Sequence, residues 1–303
     1  MRARYLTADV FTDSMFGGNQ LAVFPDAGAI PPDLMPRIAR EFNYSETTFV
    51  LPPADPAHTA RVRIFTPGGE LPFAGHPTVG TAHVLASIGA IRLTGDRTTI
   101  VFEEGVGPVP VLIRSTAGKP TFAQLSAAKL PESGAKPPDA RTLAKMLSLA
   151  PTDLLGGDYE AETVSCGVPF LFIPLKNRSA VGNARLDPAL WEATLSRYDT
   201  SKVFVFARDA ERTGSDIRAR MFAPGIGVPE DPATGSAAVA LGGYLARRDP
   251  RQTGTLRWVV EQGFEMGRPS ILEIEVDKSG GAVTASRVGG SSVVVCEGQM
   301  SLP

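Results

Sequence analysis

The chain of 303 residues is 43% apolar and 20% charged, which is enough to build a large core. Its 30 basic and 32 acidic residues leave a net charge of −2 without a long run of either sign, so nucleic acid and anionic membranes are disfavoured as partners. The N-terminal segment reaches Asp9 before a signal-like apolar core forms, and a cytoplasmic protein is expected.

The first part of the chain reads as short strands with two helices. Asp33 is the expected N-cap of a helix over 34–42, and Glu46 is expected at the mouth of the strand that follows. A Gly/Pro-rich loop from Phe65 then leads into an apolar helix over 79–88. Predicted strands cover residues 4–11, 21–24, 47–50, 60–65, 98–102 and 109–114.

The second part follows a crossover segment, 115–138, that is rich in Lys, Pro, Gly and Ser. Asp187 and Pro188 form a strong start signal for one of its helices. Predicted helices cover 140–149, 188–197 and 237–248, and predicted strands cover 162–175, 202–207, 217–222, 258–262, 270–276, 282–288 and 293–296. Strand-rich halves that each hold one apolar helix predict an α+β fold, not a parallel βαβ stack.

A repeated pattern divides the chain. The segments that begin at Phe65 and Phe222 share Phe, Pro, Gly and Pro at one spacing, 222 − 65 = 157. After a two-residue slip, His76 is paired with Asp231, 231 − 76 = 155. A repeat on this scale predicts two halves of similar build. The predicted halves are residues 1–120 and 121–303, with the last strand, about 290–303, able to return to the first half.

Each copy of the repeat carries a Gly/Pro-rich loop into an apolar helix. Pro restricts φ and Gly allows backbone geometries that other residues avoid, so the chain can turn sharply off a strand. The first-turn N–H groups of two such helices would form a donor-rich, partly positive pocket for a carboxylate. The alternative is that both loops only connect strands to helices. The residues expected to bind substrate are Gly75, His76, Gly235 and Ser236.

Three side chains could act on a bound acid. Glu46 could take up and return a proton, and His76 could transfer protons or donate to a substrate hydroxyl. Asp231 is the third candidate. Each has a purely structural alternative: a surface glutamate in a turn, a capping histidine bonded to backbone, and a helix-capping carboxylate.

Metal and cofactor motifs are not found in the sequence. Cys166 and Cys296 both lie in strand-like apolar contexts and are predicted to be inert buried thiols. The histidines His58, His76 and His83 lack metal-ligand spacing, so no metal is expected. Phosphate-binding, dinucleotide-binding and nucleophile-elbow motifs are absent.

Five blocks of sequence carry a family resemblance that runs from the first strand to Ser270. They are Gly18-Asn19-x-x-Ala22-Val23, Ser45-Glu46-Thr47, Glu70-Leu71-Pro72-Phe73-Ala74-Gly75-His76-Pro77-Thr78, Pro229-Glu230-Asp231-Pro232-Ala233-Thr234-Gly235-Ser236-Ala237 and Glu261-Gln262-Gly263-x-x-Met266-Gly267-Arg268-Pro269-Ser270. Together and in this order they resemble the phenazine-biosynthesis isomerase (PhzF-like) family.

The resemblance implies the fold of diaminopimelate epimerase. In that fold, two pseudo-symmetric halves each wrap a β-barrel-like sheet around a central helix, and the active site lies in the cleft between them. A homodimer and cofactor-independent proton chemistry on a small carboxylate-bearing substrate, cyclic or amino-acid-like, are also implied. By motif match, Glu46 is the acid/base and His76 and Asp231 are further catalytic residues. Ser236 and Asn19 fall among the substrate-binding residues.

The expected function is an isomerase that moves a proton between carbons by single-glutamate acid/base catalysis. A non-catalytic or regulatory protein that binds small acids on the same scaffold is the alternative. Racemases and epimerases of this fold place one thiol in each helix-leading loop, and here neither loop contains a cysteine. Two-thiol chemistry is therefore disfavoured.

Overall fold

The computed structural model describes residues 1–303. The chain divides into two compact units: unit 1 contains residues 1–128 and 288–303, and unit 2 contains residues 129–287. Every helix is too short or too polar to cross a lipid bilayer.

Short strands alternate with a few helices along the chain. Up to residue 128 the elements are β1 (Arg2–Val10), β2 (Asn19–Phe24), α1 (Met35–Phe42), β3 (Glu46–Leu51), β4 (Ala60–Thr66), β5 (Gly69–Leu71), α2 (Gly75–Ser87), β6 (Arg97–Glu104), β7 (Gly107–Thr116) and β8 (Lys119–Ser126). From residue 129 they are β9 (Glu132–Ser133), α3 (Ala140–Met146), β10 (Glu162–Ser165), β11 (Pro169–Pro174), α4 (Arg178–Asn183), α5 (Pro188–Leu195), β12 (Val203–Ala207), β13 (Ile217–Ala223), β14 (Val228–Asp231), α6 (Gly235–Arg248), β15 (Gly254–Gln262), β16 (Ser270–Ser279), β17 (Ala282–Gly290) and β18 (Ser292–Ser301).

The sheet of unit 1 runs in the order β18–β1–β2–β3–β4–β6–β7–β8, and β5 also pairs with β4. β2 and β3 are parallel, as are β4 and β6, and the other pairs in this order are antiparallel. Parallel neighbours need a crossover connection, and α1 provides the one between β2 and β3. This crossover returns the chain to the sheet at Glu46, the first residue of β3, opposite Leu21.

Helix α2 is the buried helix of unit 1, with residues 75–86 all buried. It packs on strands that include β1, β2, β7 and β8. At Gly80 a Cβ atom would lie 2.5 Å from Cγ2 of Val10 and 2.6 Å from Cδ2 of Leu21, so glycine allows the close approach. The hydroxyls of Thr48 and Thr81 lie 2.9 Å apart and tie β3 to the helix. A helix whose residues are mostly small or apolar on every side is suited to this buried position.

Unit 2 repeats the same order of pairings. Its strands follow one another as β9–β10–β11–β12–β13–β15–β16, and β14 also pairs with β13. The parallel pairs are β11/β12 and β13/β15, which match β2/β3 and β4/β6 of unit 1. Helix α6 is buried over 237–246 and packs on β10, β11 and β16. Each unit therefore combines one mixed sheet with one buried apolar helix.

The α+β class expected from the sequence is confirmed. Asp187 caps α5 as predicted, because its carboxylate accepts the N–H of Leu190 at 3.0 Å. The predicted cap of α1 is wrong: Leu34, not Asp33, holds the N-cap position, and no side chain bonds the first turn. The strand predicted over 162–175 is two antiparallel strands, β10 and β11, because the chain turns back between them.

The two cysteines have different surroundings. Cys166 is buried as predicted, in the turn after β10, and burial raises the pKa of its thiol to about 12. The prediction for Cys296 is wrong, because this residue is exposed on β18. An apolar run alone does not tell which residues of a strand face the core, and a bulge in the β1/β18 ladder between Thr7 and Ala8 changes the alternation there.

The structure also corrects the register of the repeat. Helix α2 begins at Gly75 and helix α6 begins at Gly235, 235 − 75 = 160. The second residue of each helix is therefore His76 in unit 1 and Ser236 in unit 2. The pairing of His76 with Asp231 expected from the sequence is wrong.

The physical reason is a longer turn in unit 2. Residues 224–231 connect β13 to the loop before α6, whereas residues 67–71 do so in unit 1, 8 − 5 = 3 additional residues. The spacing Pro-x-x-Gly occurs twice at the start of α2, as Pro72-x-x-Gly75 and Pro77-x-x-Gly80, and only the first is equivalent to Pro232-x-x-Gly235.

Candidate active site

Glu46 is the first residue of β3, where the chain re-enters the sheet after helix α1. Asn43 ends α1 in the left-handed conformation, φ 52°, and β3 begins three residues later. The Glu46 side chain keeps 13% of its accessible surface. Its carboxyl group is therefore mostly withdrawn from water but still reachable, as expected of a group that exchanges protons with a ligand.

His76 meets this carboxyl group from the first turn of α2. Its Nε2 atom lies 3.4 Å from Oε2 of Glu46, and its ring is 4% exposed. On the other side of the ring, the amide nitrogen of Asn19 lies 3.2 Å from Nδ1. In the tautomer that carries the ring proton on Nε2, the Asn19 amide donates to Nδ1 and the Nε2–H is on the side of Glu46. The structure thus brings Asn19, Glu46 and His76 together in unit 1.

His76 is neutral in this environment. Burial lowers the pKa of its imidazole to about 3, although a backbone contact with Gln20 opposes the shift. A neutral imidazole can donate one hydrogen bond from Nε2 but does not bring a full positive charge to Glu46. The pair is consequently a close contact between a carboxyl group and a neutral imidazole, and not a buried salt bridge.

The start of α2 also provides backbone donors. Ala74 holds the N-cap position in extended geometry, and no side chain bonds the first turn. First-turn N–H groups have no partner within a helix, so those of Gly75 and His76 face outward from the helix end. Pro77 has no N–H, and its fixed φ suits this position. An anion bound at this end would lie beside the imidazole of His76.

In unit 2, Asp231 is the last residue of β14 and is 6% exposed. The Thr234 hydroxyl donates to Oδ2 of Asp231 at 2.5 Å. Gln262 joins the same cluster, because its Nε2 donates to the Asp231 carbonyl at 2.7 Å and lies 2.9 Å from the Thr234 hydroxyl. The Oε1 atom of Gln262 accepts the N–H of Thr234 at 3.1 Å. Asp231 therefore lies in a turn that is held by side-chain hydrogen bonds from Thr234 and Gln262.

Gly235 and Ser236 open helix α6 directly after this turn. Thr234 is the N-cap, but its hydroxyl bonds Asp231 instead of the helix backbone. The first-turn N–H groups of α6 are thus left to other partners, as in α2. Ser236 is half-buried, so its hydroxyl is at the edge of the packed core.

Sequence reasoning assigned no role to the residues that support these two helix starts, Thr78, Glu104, Thr234 and Gln262, although all but Glu104 lie in the sequence blocks. The signal was present as a match between Glu103-Glu104-Gly105 and Glu261-Gln262-Gly263, 261 − 103 = 158. The match alone does not link this position to the loops before the helices. Elsewhere, no cluster of three or more His, Cys, Asp or Glu side chains has the arrangement of a metal site.

Comparison with known proteins agrees with the sequence blocks. The family model of phenazine biosynthesis-like protein matches residues 8–298. An uncharacterized isomerase of Mesorhizobium japonicum is 40% identical over 299 residues, which cover 98% of each chain. Trans-2,3-dihydro-3-hydroxyanthranilate isomerase of Pseudomonas aeruginosa is 34% identical over 301 residues and 99% of each chain.

Solved structures give the same result for the fold. A phenazine biosynthesis protein of the PhzF family from Bacillus anthracis matches with a TM-score of 0.88 at 24% identity, over 100% of both chains. The chain belongs to the phenazine biosynthesis-like family, and its Mesorhizobium japonicum and Pseudomonas aeruginosa relatives are named as isomerases.

Proposed function

We propose that this protein is a cofactor-independent isomerase that moves a proton between two carbons of a small carboxylate-bearing substrate, with Glu46 as the acid/base. The observation that carries the proposal is the contact between Glu46 and His76, at 3.4 Å, beside the first turn of α2. A nearly dehydrated carboxyl group next to an anion-binding helix end has the two parts this chemistry needs.

The reaction needs one proton carrier. The ionised Glu46 carboxylate removes a proton from an acidic carbon of the substrate, and the electron pair of that C–H bond moves into the conjugated system of the substrate. The protonated Glu46 then gives the proton to a second carbon on the same face, which restores the carboxylate. No electrons are gained or lost, and no group other than the proton is transferred.

His76 is proposed to orient Glu46 and to donate from Nε2 while charge develops. Its imidazole stays neutral because burial lowers its pKa to about 3. Asn19 supports the tautomer that carries the proton on Nε2, through its contact with Nδ1 at 3.2 Å. A neutral donor stabilises developing negative charge without trapping the Glu46 proton as a salt bridge would.

We assign the substrate carboxylate to first-turn N–H groups, because the N-terminus of a helix attracts anions. Gly75 and His76 offer such donors in unit 1, and Gly235 and Ser236 offer them in unit 2. Asp231 is proposed as a further catalytic residue on the strength of its family motif and its burial. The dihydro-hydroxyanthranilate named for the Pseudomonas aeruginosa relative is the natural first substrate to test.

The test is deuterium exchange. Wild-type protein and Glu46→Gln are incubated in heavy water with trans-2,3-dihydro-3-hydroxyanthranilate, and deuterium in the recovered compound is measured by mass spectrometry. We expect the wild type to incorporate deuterium and Glu46→Gln to be slower by about 100-fold or more, since it removes the only proton carrier. Glu41→Gln, an exposed change at the end of α1, is the matched control and should behave as wild type.

Equal deuterium uptake by wild type and Glu46→Gln would remove Glu46 from the mechanism. Tight binding of the compound without any exchange by the wild type would instead favour the non-catalytic acid-binding function.

A further inference from the structure

Glu104 is a buried carboxyl group that the mechanism above does not use. It is the last residue of β6 and is 8% exposed. Its Oε1 atom lies 2.5 Å from the hydroxyl of Thr78, which belongs to the first turns of α2. The same hydroxyl lies 2.7 Å from the carbonyl oxygen of Ala74, the N-cap residue of α2. Three oxygens are thus linked in a row.

Two hydrogen bonds in a row of three oxygens require two protons. The carbonyl of Ala74 has none, and the Thr78 hydroxyl has one, which it donates to that carbonyl. The Thr78 hydroxyl thus faces two acceptors, Oε1 of Glu104 and the Ala74 carbonyl, and a proton on Glu104 would let both contacts be full hydrogen bonds. The other oxygen, Oε2, is buried without a hydrogen-bond partner, which is far less costly for a neutral acid than for a carboxylate.

Unit 2 has an amide at the equivalent position. In unit 1, β4 and β6 align Ala60 with Phe102, and in unit 2, β13 and β15 align Ile217 with Val260. The offset between the paired strands β6 and β15 is 260 − 102 = 158, so Glu104 corresponds to Gln262, 262 − 104 = 158. The next residues, Gly105 and Gly263, both press against the proline of the loop before the helix.

Gln262 shows what this position does. It donates to the Asp231 carbonyl and contacts the Thr234 hydroxyl, and so holds the loop that leads into α6. A carboxylate cannot donate a hydrogen bond, whereas a carboxylic acid can donate one.

We propose that Glu104 is a positioning residue that acts as a neutral carboxylic acid. Through Thr78 and Ala74 it holds the start of α2, and this helix start carries Gly75 and His76. The catalytic part of this inference rests on the proposed function, whereas the protonation of Glu104 and its role in holding the helix do not. Ionisation of Glu104 would replace a donor by an acceptor and leave two negative oxygens facing Thr78 and Ala74 in an apolar interior.

The surroundings of Glu104 give no compensating charge. Burial raises the pKa of Glu104 to about 8, and the Thr78 hydrogen bond opposes the shift. The histidines of α2, His76 and His83, are both neutral, because burial lowers their pKa to about 3 and about 4. The charged side chains of the adjoining strands β4, β6 and β7 are exposed or engaged elsewhere: Arg61 and Arg97 are exposed, Arg63 pairs with Glu70, Glu103 pairs with His58, and Arg114 stacks on Phe122.

The first test observes the proton directly. Protein with 13C-labelled Glu carboxyl groups is titrated by NMR from pH 5 to pH 10, for the full chain and for Glu104→Gln. We expect one carboxyl resonance to remain in the acid form at pH 7, to titrate near pH 8, and to be missing from Glu104→Gln. Thr78→Val should move the same resonance, since it removes the side chain that contacts Oε1 of Glu104. Absence of any carboxyl group protonated at pH 7 would overturn the proposal, and the Thr78→Val arm decides the case if Glu104→Gln does not fold.

The second test measures how pH affects folding and exchange activity. The folded-state pKa of Glu104 is raised from its ordinary value of 4.5 to about 8, so its contribution to folding stability is present at low pH and is lost as pH rises through this window. The folded-to-unfolded ratio should fall by about tenfold per pH unit between these two values. Glu104→Gln should lack this decline, because the amide donates at every pH. Glu103→Gln, a change on the adjacent residue, should keep it.

Deuterium exchange with the dihydro-hydroxyanthranilate should fall above pH 8 in the wild type and not in Glu104→Gln. An unchanged alkaline limb in Glu104→Gln would overturn the positioning role. If the wild type shows no exchange at all, the proposed function fails, and the NMR and unfolding measurements still decide whether Glu104 is a neutral clamp.

Discussion

The starts of α2 and α6 are two versions of one backbone design. Both follow a short strand and a Pro-x-x-Gly loop, and both leave their first-turn N–H groups without a side-chain cap. They differ in the side chains that follow. The second residue of α2 is His76, in contact with Glu46, whereas the second residue of α6 is the half-buried Ser236.

The difference shows how a repeated fold can divide its tasks. In unit 2 the loop is held by an amide, Gln262, which donates and accepts at any pH. In unit 1 the equivalent residue is Glu104, which contacts Thr78 of α2. Two further titratable side chains, Glu46 and His76, lie in contact with each other at the start of the same helix. The position that holds the loop is therefore a titratable carboxyl group in unit 1 and a non-titrating amide in unit 2.

The largest difference in unfolding free energy is expected for substitutions at Gly105 and Gly263, the equivalent glycines that contact the proline before each helix. Gly263 has φ +78°, and a Cβ there would collide with the carbonyl oxygen of Arg268 and lie 2.6 Å from that of Pro232. Gly263→Ala should lower the free energy of unfolding by about 3 to 5 kcal/mol, through backbone strain together with overpacking.

At Gly105 the added Cβ would lie 2.7 Å from Cα of Pro72, but no left-handed φ is required. Gly105→Ala should therefore cost less, about 1 to 3 kcal/mol. Urea denaturation of the two variants measures both values. A larger loss for Gly105→Ala would contradict the conclusion that, of these two equivalent glycines, only Gly263 requires a left-handed backbone.

The next effect is the acid sensitivity of unit 1. The folded-state pKa of His76, about 3, is below its ordinary value of 6.5, so the unfolded chain takes up the proton first and stability falls as pH drops through this window. Relative to His76→Asn, the wild type should lose about 3 kcal/mol between pH 6.5 and pH 4, at about 1.4 kcal/mol per pH unit.

Ser236→Ala is the matched control in unit 2, and its pH dependence should run parallel to that of the wild type, because serine does not titrate. Equilibrium unfolding at a series of pH values tests both variants. A wild-type slope identical to that of His76→Asn would mean that His76 is not held neutral by burial.

The smallest of these effects is expected at Gln262. Gln262→Ala leaves the N–H of Thr234 and the carbonyl of Asp231 without their side-chain partner, at a cost of about 2 kcal/mol in unfolding free energy. Gln252→Ala, an exposed glutamine in the same unit, should change stability by less than about 0.5 kcal/mol. Indistinguishable stabilities for these two variants would show that the amide does not hold the turn.

Much of the candidate site could be found in the sequence. Glu46, His76, Gly75, Gly235 and Ser236 were selected from the sequence blocks, although the two helices were predicted to begin at residues 79 and 237 and begin at Gly75 and Gly235. The register of the repeat could not be found this way, because Pro-x-x-Gly occurs at both Pro72 and Pro77 and only one of them precedes the helix. Glu104 was also missed, since a carboxyl group in a strand-like run is indistinguishable from an exposed one until its burial is known.

The amino-acid sequence by itself determined the α+β class, the presence of the two apolar helices, and the family to which the chain belongs. These features depend on local periodicity, turn chemistry and short motifs, which are written in neighbouring residues. Only the tertiary structure decided that Nε2 of His76 faces Glu46, that Cys296 is exposed, and that Glu104 occupies the position of Gln262. Contacts between residues distant in the chain depend on strand register and burial, and neither is encoded in any single segment.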